Sequence, residues 1–209
     1  MSFTIMRIQK IKTLQQAHGH CAHHLRETAV GNADPNRKDM NQILLGSKTG
    51  WYQEIKTKTD PYVKRKDAVR AFEVMLTPSP DFFAKGGIEK YGQFSGTKVD
   101  EFKASAMEWL KSEFGDCLQN VVLHLDEKTP HIHAIVVPLV QDPKGKPGEL
   151  KLNQKAFLDG PTALKELQDR CAEALKPLGL ERGKPGSKAK HQPCKKFYGA
   201  LQKKGKYKL

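Results

Sequence analysis

The sequence has no apolar run long enough to span a bilayer, and its opening residues, MSFTIMRIQK, lack the long apolar stretch of a signal peptide. A soluble, cytoplasmic protein with no membrane contact is expected. Cysteine is scarce: Cys21, Cys117, Cys171 and Cys194 lie far apart, form no CxxC pair and fall short of the density of a disulfide scaffold. They read as reduced thiols without a part in the chemistry. No glycine-rich phosphate-binding loop is present, so nucleotide hydrolysis is not indicated, and no internal repeat appears. Acidic residues vanish at the end of the chain, where Arg182 to Leu209 holds ten Lys or Arg and no Asp or Glu. That segment carries +10 of the formal charge of +13, leaving +3 for everything before it. A compact body followed by a cationic arm implies a polyanionic partner, and nucleic acid is the commonest one.

Against these absences stands one dense motif, HLDEKTPHIH from His124 to His133. On either side, VVLHL (Val121 to Leu125) and HIHAIVVPLV (His131 to Val140) are apolar and β-branched, so both read as strands joined by a polar turn ending at Pro130. Strand side chains alternate faces, which puts His131 and His133 on one face. If the strands pair antiparallel, His124 lies across from them and completes a set of three. Three nitrogen ligands leave positions open for substrate oxygens, the arrangement of a working metal rather than a structural one. The bland alternative is strand histidines satisfied by hydrogen bonds, which a third His beside Asp126 and Glu127 makes the poorer account.

The remaining pattern gives a mixed fold. Phe3 to Gln9 and Val69 to Thr77 read as strands, Leu14 to Thr28 as a helix, and Asn32 to Arg37 as a loop. Val99 to Phe114 is the clearest helix, with Thr97 as its cap and Gly115 as its stop. A short strand at Leu150 to Leu152 and a helix from about Pro161 to Leu175 follow. Short connections argue for an α+β fold with a central antiparallel β-sheet covered by helices on one side. The catalytic unit is expected over residues 1–180, with a basic arm over 181–209.

A metal with open positions beside a cationic surface suggests phosphodiester chemistry. The attacking group could be water, a tyrosine (Tyr52, Tyr62, Tyr91, Tyr198 or Tyr207) or a histidine from the cluster His18, His20, His23 and His24. Neutral imidazole offers a lone pair at pH 7, whereas a tyrosine must first lose a proton. His23 and Arg26, three apart on the expected helix, would share a face and put a guanidinium beside the nucleophile. A solvated helix face and a second metal site are the competing accounts of this cluster, and spacing does not decide among them.

HLDEKTPHIH resembles the signature of HUH endonucleases, and the whole chain resembles the MobV (Mob/Pre) group of plasmid mobilisation relaxases. The further matching stretches are MRIQKIK (Met6 to Lys12), the HxxR of His23 and Arg26, RKDAV (Arg65 to Val69) and LERGKPGSKAKH (Leu180 to His191). The resemblance implies nicking and rejoining of one strand at a plasmid transfer origin through a 5′-phosphate adduct on a histidine. His23 is then the nucleophile, with His24 in reserve. His124, His131 and His133 would bind Mn²⁺ or Mg²⁺, Glu127 would orient His23 or take its proton, and Arg26 and Arg65 would clamp the phosphate. RKRKDAVR (Lys64 to Arg70) also reads as a plain basic surface. DNA contacts are expected from Lys10, Lys12, Arg37, Arg182, Lys188 and Lys190. The implied partners are origin DNA, as a hairpin plus single strand, and a conjugative coupling protein. The alternatives are a rolling-circle replication initiator with a tyrosine nucleophile and a non-enzymatic, metal-containing DNA-binding regulator. Since relatives usually continue into a further helical region, the chain is expected to be the catalytic fragment of a longer protein.

Overall fold

The computed structural model describes residues 1–84 and 92–183. Strand β1 (Ser2–Ile11) leads through Thr13 into helix α1 (Leu14–His24). Thr13 accepts from the Gln16 amide while the Gln16 side chain accepts from the Thr13 amide, a reciprocal cap that fixes where α1 starts. Then come β2 (Gln42–Leu45), α2 (Trp51–Thr59), β3 (Ala71–Pro78), a single turn α3 (Pro80–Phe83) and the long α4 (Gly96–Phe114). The chain continues through β4 (Leu118–His124), β5 (His131–Val136), β6 (Leu139–Gln141), β7 (Leu150–Leu152), α5 (Gly160–Leu175) and β8 (Leu180–Arg182).

Six strands form one sheet in the order β2-β4-β5-β3-β1-β8, and every neighbouring pair is antiparallel except β1 with β8. The α+β class with a central antiparallel sheet is as expected. Helices, however, cover both faces rather than one. Phe72, Val74 and Leu76 of β3 and Ile132, Ala134 and Val136 of β5 pack with Phe102, Leu110 and Leu167 from α4 and α5. On the opposite face Ile11, Ala71, Val122 and Ile135 pack with Ala17 and Cys21 of α1 and with Trp51 and Ile55 of α2. Every residue of β5 is buried, the signature of a strand covered on both sides.

Several boundaries move for identifiable reasons. The expected long strand from His131 breaks after Val136, near Pro138, which has no N–H for a ladder; Leu139–Gln141 instead pairs with β7 in a separate hairpin. α4 begins one turn early, with Ser95 rather than Thr97 accepting from the Lys98 amide, and Gly115 ends it at φ +48°. α1 stops at His24 instead of running to Thr28. β8 spans Leu180–Arg182 and pairs in parallel with Ser2 to Thr4 of β1.

The cap difference is measurable. Ser95→Ala is expected to cost about 1 kcal/mol in urea unfolding, because it orphans a first-turn amide, whereas the exposed Thr97→Ala stays within about 0.5 kcal/mol. Equal losses would return the cap to Thr97.

Candidate metal centre and active site

Register brings the three motif histidines together. His124 of β4 is directly opposite His131 of β5, and His133 follows two residues on along the same face. Their ring centroids lie 4.8 to 5.2 Å apart. Each ring has one nitrogen committed to an acceptor. His124 Nε2 donates to the His24 carbonyl at 3.0 Å, His131 Nδ1 to the Thr129 carbonyl at 2.8 Å, and His133 Nδ1 to the Glu73 carboxylate. Carbonyls only accept, so in the neutral rings the other nitrogens present lone pairs.

Those lone pairs have no proton to share. His124 Nδ1 and His131 Nε2 face each other at 3.4 Å, and His133 Nε2 is buried without a hydrogen-bond partner. Burial pushes the His124 and His133 imidazoles below their ordinary range, His124 further so by its neighbours His131 and His133, so adding protons is not the remedy. Such a convergence is unfavourable alone and well suited to a divalent cation, with each ligand ring already oriented by an outer acceptor. The residues present therefore fit a metal, and the ligand atoms close enough to share one ion are those of His124 and His133 with His23, and of His124 and His131 with Glu127.

Glu73, on β3, was not anticipated. Its carboxylate accepts from His133, from His24 Nε2 at 2.8 Å and from His20 Nδ1 at 3.0 Å. Burial alone would raise its pKa, but the His133 charge interaction and the three histidine hydrogen bonds hold it well below the carboxylate range. The lone acidic side chain in the apolar strand VRAFEVMLT was the available signal. His20, His24 and Glu73 also sit close enough to bind an ion. Here, though, the histidine nitrogens donate to the carboxylate, so their proximity needs no cation.

His23 and His24 are adjacent but differently placed. His24 is 1% exposed and its Nε2 is held by Glu73. His23 is part-buried and lines a cavity of about 480 Å³ together with Gln9, His20, Glu73 and His133. Its ring centroid is 5.4 Å from His133 and 5.7 Å from His124. Burial, then the Arg26 and His24 charges, pushes His23 down to about 4, so it is neutral at pH 7.

Arg26 reaches His23, though not along a helix face. It lies past the end of α1 with φ +54°, a left-handed conformation costing roughly 1–2 kcal/mol for a residue with a Cβ. A paired guanidinium repays that strain: Nε and Nη2 bind Asp126 at 2.7 and 2.8 Å, and Nη2 binds Glu127 at 2.8 Å. Nη1 donates to the His23 carbonyl at 3.0 Å and lies 3.3 Å from His23 Nε2. Glu127, which also accepts from Asn32, therefore reaches His23 through Arg26. It also comes within 3.6 Å of His131 Nε2.

The other expected residues are dispersed. Arg65, with an 80% exposed side chain, pairs loosely with Asp67 at 3.8 Å and lines a groove with Lys10 and Lys12 that contains none of the histidines. Arg37 donates to the Leu125 carbonyl, lies over Phe94 and packs where Gly92 leaves no side chain. Arg182 is tied to Asp169 and Gln168 of α5. Lys188 and Lys190 lie outside the described residues, as do Tyr91, Tyr198 and Tyr207. No helix among the described residues is long and apolar enough to cross a membrane.

The Mob_Pre family model, described as plasmid recombination enzyme, matches residues 1–199. The chain belongs to this family. A 65 kDa protein of Zymomonas mobilis subsp. mobilis is 34% identical over 209 residues, covering 97% of this Mob_Pre chain and 33% of its own length. Plasmid recombination enzyme type 1 of Staphylococcus aureus is 30% identical over 195 residues, covering 88% of the chain and 45% of its own. The chain thus spans between a third and about half of these relatives. Among solved structures, the manganese-bound MobM relaxase domain (MOBV; Mob_Pre), in complex with 22 nucleotides of pMV158 oriT DNA, superposes with a TM-score of 0.75 at 27% identity. That match covers 95% of this chain and 99% of the MobM domain, so the two share one relaxase fold.

Two expectations follow from the geometry. Glu73→Gln should weaken Mn²⁺ binding by about 10–100-fold in calorimetry, since Glu73 fixes the His133 ring; unchanged affinity would remove Glu73 from that role. With metal chelated, stability should fall as pH drops from 7 toward 4. His23, His24, His124 and His133 have depressed folded pKa values, so the unfolded chain binds more protons below about pH 6.5. The depressed Glu73 and Asp126 carboxyls add to the loss below about pH 4. A flat melting temperature between pH 7 and 5 would contradict the buried, neutral assignment.

Proposed function

We propose that this Mob_Pre chain is the catalytic unit of a MOBV relaxase that nicks and rejoins one strand of plasmid origin-of-transfer DNA in the cytoplasm, with His23 as nucleophile. The observation that carries it is the meeting of a neutral, cavity-lining His23 with the motif histidines, its nitrogen lying within one ion's reach of those of His124 and His133. His124, His131 and His133 would hold Mn²⁺ or Mg²⁺, and nitrogen donors tilt the choice toward manganese. The MobM domain, similar over 95% of this chain, is manganese-bound with oriT DNA. When bound, the ion supplies a positive charge that polarises the scissile phosphate.

The chain's own residues account for the rest. A His23 nitrogen attacks phosphorus, a P–N bond forms, and the P–O bond to the 3′ oxygen breaks. The departing 3′ oxygen takes up a proton and the imidazole loses its ring proton, leaving a phosphoramidate on the 5′ side. Attack by a 3′ hydroxyl reverses the step and reseals the strand. Arg26 holds the His23 ring and backbone, while Glu127 and Asp126 hold Arg26. His24 is unsuited to attack because it is enclosed and bound to Glu73.

The rival with a tyrosine nucleophile finds little support among the described residues. Tyr52 packs edge-on to His18, and Tyr62 lines the separate basic groove. The test combines His23→Ala, His24→Ala and Tyr→Phe variants on supercoiled origin plasmid with Mn²⁺ or Mg²⁺. His23→Ala alone should abolish an acid-labile protein–DNA adduct, which mass mapping of the native protein places on His23. An adduct lost with a Tyr→Phe change would favour the replication initiator, and DNA binding without any nick would favour the non-enzymatic regulator.

A further inference from the structure

We infer that the groove beside the β6–β7 hairpin is a backbone track for a single DNA strand leaving the histidine cavity, and that Arg65 serves there rather than at the scissile phosphate. The groove has a volume of about 490 Å³ and is lined by six cations against two carboxylates. Lys151 pairs with Asp142 at 2.9 Å and Lys155 with Asp159 at 3.5 Å. Lys10, Lys12 and Lys64 have no ion pair among the described residues, and Arg65 has only its distant, solvent-exposed contact with Asp67. Lys10 and Lys12 thus face the groove without an opposite charge, while Lys64 and Arg65 have only loose charge contacts, with Asp142 and Asp67. Tyr62 and the exposed Leu150 add apolar surface between them. Cations interleaved with an aromatic and an apolar side chain suit a chain of phosphates carrying bases better than a small anion.

Position supports the assignment. Gln9 lines the histidine cavity, and the next residues of the same segment, Lys10 and Lys12, line the groove. Gln9 and Lys10 point to opposite faces of β1, and since β8 pairs only with Ser2 to Thr4, β1 is the sheet edge here, so a strand would pass from cavity to groove around that edge. Gln16 ties this junction down, because its side chain accepts from the Lys12 amide at 2.8 Å while the same residue lines the histidine cavity. Phosphate contacts of this kind fix a strand's path and strengthen binding without reading sequence.

This inference rests on the relaxase reading, and its test separates the two. Binding of fluorescent oligo-dT is measured against salt concentration for the native chain, for Lys64→Ala/Arg65→Ala and for Lys103→Ala on α4. The double variant should bind more weakly at low salt and flatten the slope of log affinity against log salt by about 1.4, two lost contacts at about 0.7 each on a single strand. Lys103→Ala should keep the native slope. An unchanged slope in the double variant, or a change confined to duplex DNA, overturns the strand track. If the native chain nicks origin plasmid and the slope does not move, only the groove assignment fails. If the slope moves but supercoiled plasmid stays intact with either metal, the relaxase reading fails and the groove stands.

Discussion

Glu73 is the constraint on which the site depends. A carboxylate buried in an apolar sheet is tolerable only when its charge is answered, and here three imidazole N–H groups answer it. Those donors come from two elements, His133 on β5 and His20 and His24 on α1. The same carboxylate therefore docks the helix on the sheet and turns the His133 ring so that Nε2 points away from it, without a partner. Apolar packing of Ile11, Ala17, Cys21, Trp51 and Ile55 presses α1 and α2 onto this face. Hydrophobic burial supplies attraction without direction, whereas the Glu73 hydrogen bonds set the rotation and register at which α1 settles.

A second charged knot fixes the other side of the cavity. Asp126 and Glu127 stand in the turn between β4 and β5, and Arg26 fills the space between them and His23. Hydrogen bonds to Arg26, the largest effect opposing burial, keep Asp126 ionised, while its carboxylate in turn holds the guanidinium charged. The fork geometry is needed, since one side chain binds two carboxylates and a backbone carbonyl at once. An Arg→Lys change there would keep the charge and lose the shape.

The legible parts of the sequence were those set by one strand or one helix alone. The period of two placed His131 and His133 on one face, and the tight turn put His124 opposite them, as the register shows. The α4 stripe of Val99, Phe102, Ala106, Trp109, Leu110 and Phe114 is buried throughout. What escaped is tertiary. Glu73 has meaning only once His20, His24 and His133 converge on it, and α2 offers only Trp51, Ile55 and Thr59 as a buried line in a polar segment. Arg65, expected at the phosphate because it lies in a motif, is placed in a groove that contains none of the histidines, a separation that sequence proximity to β3 does not reveal.

The least conspicuous error, the length of α1, has the largest chemical consequence. Had the helix run on to Thr28, the His24 carbonyl would have been taken by the amide four residues ahead. Because the helix stops at His24, that carbonyl is one of the orphan acceptors of its last turn, and His124 Nε2 occupies it. This bond selects the His124 tautomer, and so turns Nδ1 toward His131 as a lone pair. The helix end also directs partial negative charge toward the histidine cluster, which favours a cation there. Arg26 is the residue that stops the helix, through its left-handed backbone, and the same residue holds His23. Ending the helix, fixing the His124 tautomer and seating the proposed nucleophile are thus one structural event, governed by the HxxR spacing.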